Sequence, residues 1–146
     1  MPISFSNNWK FILDKLENVL KSEFKGALPV YRGKEVSAGN QYLRLNPMGS
    51  DLDGYNLSSE TRSYSIEITY HFRDPNIKKP ALEHIFRQVS RVEALIHDNI
   101  TMTLSDTNAT NIFDCELSTC DLDVGDNDAE YVVSWDFSCM HQGNIS

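Results

Sequence analysis

Cys115, Cys120, Cys139 and His141 are the residues best suited by type to hold a soft metal ion, because zinc takes thiolate sulfur and imidazole nitrogen in closed four-ligand sites. Their spacing works against that use. In an extended strand, residues five apart point to opposite faces, so Cys115 and Cys120 reach one ion only if the strand is bulged. Cys139 and His141 share a face, but two ligands do not close a structural site. A hard cation is the second candidate. Between Gly49 and Glu60, the residues Asp51, Asp53, Gly54 and Glu60 match the third, fifth, sixth and twelfth positions of an EF-hand loop. Gly49 stands where the first acidic ligand belongs, and Asn46-Pro47 denies the loop its entering helix. A later acidic run, Asp121, Asp123, Asp126, Asp128 and Glu130, could gather oxygens around such an ion. Hairpin chemistry explains it more simply, since Asp, Asn and Gly supply the backbone angles of a turn.

Nucleophilic chemistry finds no better footing. The chain carries no Gly-x-Ser-x-Gly elbow, no Gly-rich phosphate loop and no paired-histidine motif. His71, on the polar side of a strand and set opposite Asp136 across a sheet, would resemble a base and its orienter, yet no nucleophile accompanies them. The expectation is a protein that is not an enzyme and needs no metal and no cofactor.

The elements that would position these residues are easier to read. Ser63 to Phe72 alternates Tyr64, Ile66, Ile68, Tyr70 and Phe72 with Ser65, Glu67, Thr69 and His71. Ala129 to Met140 repeats the pattern, with Tyr131, Val133, Trp135, Phe137 and Cys139 against Ser134, Asp136 and Ser138. Strict period-two alternation predicts strands with one covered face and one wet face. Trp9, Ile12, Leu13, Leu16, Val19, Leu20 and Phe24 fall at helical steps behind a cap at Ser6 or Asn7, with Gly26 as the stop. Leu82, Ile85, Phe86, Val89, Val92 and Ile96 make the stripe of a second helix that carries Pro80 in its first turn. Short strands are predicted at Pro29 to Tyr31 and Gln41 to Leu45, joined by a turn or wide hairpin, and a weaker strand at Ile112 to Leu122. Asn46 to Arg62 reads as a long polar loop. Together these predict one domain spanning residues 1–146 of the α+β class, a two-layer sandwich with a mainly antiparallel mixed sheet and two amphipathic helices on one face.

Composition limits the functions open to such a domain. Thirteen Lys and Arg against twenty-one Asp and Glu leave a formal net charge of −8, with no basic run of the kind nucleic-acid binders carry. Sequence-specific nucleic-acid binding is not expected. An acidic surface does suit a channel that must let a polyanion slide past. No stretch approaches the roughly 18 apolar residues of a membrane span, so no membrane partner is expected, and the three cysteines fit a reducing cytosol.

The helix at Trp9 to Phe24, the strand SYSIEITYHFRDP, the second helix and the closing strand YVVSWDFSC together resemble the small tail-terminator or tail-completion proteins of tailed bacteriophages. That resemblance implies a ring homo-oligomer, typically a hexamer, located in the virion at the tail-neck joint after assembly in the host cytoplasm. Its partners would be the tail tube protein and a neck, head-completion or sheath protein, with DNA passing through the lumen. In these terms Met48, Leu52, Tyr55 and Leu57 are expected to contact the tube or a neighbouring subunit. Glu67 and Asp136, or the acidic residues Asp121, Asp123, Asp126 and Asp128, are expected to line the lumen. Two alternatives stay open: a head-completion or neck connector subunit, and a small cytosolic enzyme or metal-binding module.

Overall fold

The computed structural model describes residues 7–25, 28–33, 41–55, 59–73, 79–106, 109–124 and 130–144. Helix α1 (Asn8–Phe24) begins where the side-chain oxygen of Asn7 accepts the Lys10 amide at 3.2 Å, satisfying one of the unpaired N–H groups of a helix start. It ends at Lys25, whose left-handed backbone (φ 49°) carries its amide to the Lys21 carbonyl at 2.8 Å. Gly26, the expected stop, lies outside the described residues.

The remaining elements are β1 (Val30–Arg32), β2 (Gln41–Tyr55), β3 (Ser59–Arg73), α2 (Lys79–Asp98), β4 (Met102–Thr103), β5 (Asn111–Val124) and β6 (Glu130–Asn144). The strands form one mixed sheet in the order β1-β2-β3-β6-β5-β4, curled into a half-barrel. Each half of the chain contributes a helix, a short edge strand and a long antiparallel pair, and the halves meet where β3 lies beside β6. The α+β class and the mainly antiparallel mixed sheet agree with the sequence pattern.

The core forms between the sheet and the two helices. Ile12, Leu16 and Leu20 of α1 and Ile85, Val92 and Ile96 of α2 are buried with Tyr64, Ile66, Ile68 and Tyr70 of β3 and Val133, Trp135, Phe137 and Cys139 of β6. Side-chain ties fix the helices on this face. Arg32 of β1 donates to Glu17 at 2.7 Å and to Asp14 at 2.5 Å on α1, while Arg91 of α2 reaches Glu23 at 2.8 Å and lies over the Phe24 ring. The Trp9 ring meets Tyr64 edge to face at 4.9 Å, and the Trp135 indole N–H donates to Glu93 at 3.2 Å.

Several expectations are corrected. Asn46 to Arg62 is not a long loop: β2 runs to Tyr55 and β3 starts at Ser59, so most of that segment is a paired hairpin arm. The arm extends past the core, where neither face must be apolar, and the ladder holds it by backbone groups whatever the side chains. Register shifts at Pro47/Gly49 and Leu52/Gly54 absorb its irregular residues, and Pro47 is tolerated because β1 pairs only with Leu43 to Leu45 of β2. The short strand predicted at Gln41 to Leu45 is therefore the first third of a long one. β1 and β2 are parallel, not a hairpin, and β4 was not foreseen, being too short to carry a period. Phe86 is 49% exposed and off the buried stripe. A residue step of 100° from Ile85 turns it toward the side of α2 that carries Glu93 and His97.

Candidate assembly surface

The sheet face turned away from the helices gathers the acidic side chains. Glu67 of β3 stands directly opposite Asp136 of β6, in the middle of the sheet. Alternation puts Asp51 beside Ser63, Glu116 beside Ser138, Asp121 beside Ser134 and Asp123 beside Val132 on this same face. Among the described residues, these carboxylates share the face with the guanidinium groups of Arg44, in register with Thr69, and Arg73, in register with Glu130. Like charges directly opposite each other on adjacent strands disfavour the sheet, so the Glu67–Asp136 pair is not explained by stability. Asp136 also accepts from the Thr119 hydroxyl at 3.1 Å. Glu67 and Asp136 were foreseen from the alternation. Asp51 and Glu116 were not, because the polar arm hides the first and the β5 irregularities shift the second by one position.

Of the other expected contacts, Met48 is 63% exposed at the Pro47/Gly49 irregularity and Leu52 is 47% exposed opposite Arg62. Tyr55 ends β2, Leu57, Asp126 and Asp128 lie outside the described residues, and Asp123 stands in register with Val132. The EF-hand match dissolves in this geometry, because Asp51 and Asp53 lie on β2 while Glu60 lies on β3 beside Tyr55. His71 is in register with Val132, not Asp136, so the two cannot act as base and orienter. His71 instead stacks on Tyr42 (ring centroids 4.5 Å, 14° between planes), and its Nε2 lies 3.0 Å from the Thr69 hydroxyl. Arg44 lies over Tyr42 and Tyr31, completing an aromatic and cationic corner at the β1 side of the face.

The thiols lie on the other side of the sheet. Register shifts in β5 between Phe113 and Glu116 and between Leu117 and Cys120 supply the bulges that the spacing rule requires, and both Cys115 and Cys120 line one cleft of about 910 Å³. Glu93, Ile96, His97, Trp135 and Cys139 also line it. All three cysteines are free, Cys115 and Cys139 buried and Cys120 exposed. Burial, reinforced by Glu93 and Asp121, pushes the Cys120 thiol up to about 11. His141 is not a fourth ligand: its Nε2 meets the Thr110 hydroxyl at 2.9 Å, and that hydroxyl donates to Asp106 at 2.5 Å. Among the described residues, no group of three or more His, Cys, Asp or Glu side chains is placed to hold a metal ion.

Burial holds the His141 imidazole below its usual value, and Asp106 and Glu60 offset this only in part. The unfolded chain therefore takes up that proton first. Stability contributed by neutral His141 is complete above pH 6.5 and is lost as pH falls from 6.5 toward the lowered folded value. A second loss follows at lower pH. The Arg32 and Lys10 hydrogen bonds lower Asp14, and at Glu17 the Lys21 and Arg32 bonds outweigh an upward push from burial; the stability from these carboxylates is lost as pH falls through their folded values. Thermal melts across pH 7 to 3 are expected to show both steps, with His141→Gln removing only the first. An unchanged first step in that variant would contradict the assignment.

No protein-family model matches the sequence, and no curated protein sequence matches it. Solved structures do match the fold. A chain from the virion of a native gene transfer agent (GTA) particle superposes with a TM-score of 0.58 at 8% identity, covering 90% of this chain and 98% of that one. A second, known only by a serial designation, superposes with a TM-score of 0.63 at 14% identity, over 94% of this chain and 98% of its own. No helix among the described residues is long and apolar enough to cross a membrane. The fold is shared, nearly end to end, with a chain of a gene transfer agent virion.

Proposed function

We propose that this chain is a structural subunit of a phage-type virion that forms a ring at the tail-neck joint, caps the tail tube and joins it to the head or neck. The near-complete fold likeness to a virion component carries this reading. The acidic sheet face supports the lumen half of it. A ring of such faces, with Glu67 and Asp136 side by side in each subunit, repels a polyanion and lets DNA slide instead of holding it. The hairpin arm, with Met48 and Leu52 exposed, suits the contact with a neighbouring subunit or the tube, since interface centres favour Met and apolar groups over Lys and Glu. A closing ring needs such a heterologous contact. The chain acts by binding, without catalysis or cofactor.

Deleting the gene and imaging the particles tests the role. Overlong or uncapped tails are expected for a terminator; heads that leak DNA beside normal tails would identify a head-completion or neck connector subunit instead. Replacing Met48 and Leu52 together with Ser is expected to weaken ring formation on tubes at least about tenfold, the effect of losing roughly 1.4 kcal/mol of contact energy, while leaving the thermal melt of the isolated chain within about 0.5 kcal/mol of wild type. Native mass spectrometry with and without tubes reads ring formation and a thermal melt of the isolated chain reads stability; unchanged assembly would remove the arm from the interface.

A further inference from the structure

Bulging in β5 brings two thiols together. Phe113 pairs with Met140 and Glu116 with Ser138, so Asp114 and Cys115 both stand opposite Cys139, and Asp114 takes the left-handed angle (φ 53°) that this two-against-one arrangement uses. Cys115 and Cys139 are both buried and both face the helix side. Both form part of the wall of the cleft between α2 and β5. Residues facing across antiparallel strands have Cα atoms about 4.5 to 5.5 Å apart, inside the range of about 4.4 to 6.8 Å that a disulfide spans. We infer that Cys115 and Cys139 are an oxidation site, converted by a small hydroperoxide entering the cleft into a cross-strand disulfide that staples β5 to β6.

The chemistry balances with the hydroperoxide as the only co-reactant. The Cys115 thiolate attacks one peroxide oxygen, the O–O bond breaks and hydroxide leaves, giving a sulfenic acid. The Cys139 sulfur then attacks the Cys115 sulfur, the S–O bond breaks, and the second hydroxide leaves as water with the Cys139 proton. Two thiols are oxidised by two electrons and the peroxide is reduced to water. The same balance holds with the two sulfurs exchanged, Cys139 attacking and Cys115 resolving. The staple falls where the β5–β6 ladder is interrupted, and the Cys115 amide already ties that point to the Ile100 carbonyl at 3.0 Å.

The test uses the full chain carrying Cys120→Ser, so that intermolecular linkage through the exposed thiol is removed. Treatment with hydrogen peroxide is expected to lower the intact mass by two hydrogen atoms. Non-reducing peptide maps are expected to show Cys115 joined to Cys139, with a raised Tm that dithiothreitol reverses. In Cys139→Ser, which lacks the resolving thiol, dimedone is expected to trap the sulfenic acid on Cys115. Recovery of both thiols in alkylatable form after peroxide and denaturation overturns the proposal. The outcome is independent of any virion role, because it is read on the purified chain.

Discussion

Glu67→Lys combined with Asp136→Lys is expected to leave the domain folded and abolish productive DNA passage. The two positions face each other across β3 and β6, so exchanging two carboxylates for two ammonium groups keeps a like-charge pair and changes folding stability by about 0.5 kcal/mol or less. The field of the face changes far more. Of Asp51, Glu67, Glu116, Asp121, Asp123 and Asp136, set against Arg44 and Arg73, four carboxylates would remain beside four cations. A charge pair at contact in water is worth about 1 kcal/mol, and a ring repeats each lysine once per subunit, so a DNA segment in the lumen would be held by many such contacts at once. Particle yields near wild type with infectivity reduced by orders of magnitude are the expected combination, and high salt during ejection assays should partly relieve it. The neutral pair Glu67→Gln with Asp136→Asn serves as the control. It removes repulsion and should raise stability by roughly 0.2–1 kcal/mol. Wild-type infectivity in the lysine variant would take this face out of the lumen.

Trp135→Ala carries the largest expected cost in stability. The indole is 1% exposed, lies in register with Ile68 and Cys120, and donates its N–H to Glu93 of α2. Removing a buried Trp costs about 3–5 kcal/mol through lost burial and the cavity left behind, out of a total stability that is typically about 5–15 kcal/mol. For a domain of this size that is a fall in Tm of roughly 10–16 °C. Trp135→Phe separates the two contributions, since it keeps most of the apolar volume and forfeits mainly the hydrogen bond, worth about 1 kcal/mol. A Tm drop of under about 2 °C for the Ala variant would mean that Trp135 is not the joint between sheet and α2.

The parts of the fold that bury an apolar face were legible from the chain. The alternation through Tyr64, Ile66, Ile68 and Tyr70 and through Val133, Trp135 and Phe137 marked both central strands, and those residues are buried as the pattern demands. What escaped notice carries no such face. Asn46 to Tyr55 belongs to a strand whose outer part is exposed on both sides, so no periodicity records it, and its Pro and Gly residues read as loop chemistry. The irregularities at Phe113/Glu116 and Leu117/Cys120 broke the alternation of β5 in the same way, hiding Glu116 on the acidic face and the meeting of Cys115 with Cys139. Side-chain pattern reports burial, while pairing partners such as Glu67 and Asp136 depend on which strands become neighbours, a matter settled by residues far away in the chain.

That distance matters most at the seam between the two halves. Each long antiparallel pair closes locally, but β3 finds β6 only after the intervening helix and strands are in place, so the seam is the slowest contact to form and sets the tempo of folding. On the ribosome β3 is complete while β6, its inner partner, has yet to be made, and during that interval its edge is open to the same edge of another nascent copy. Glu67 then acts as a gatekeeper, a charge that discourages premature pairing between copies before the chain's own last strand arrives to cover it.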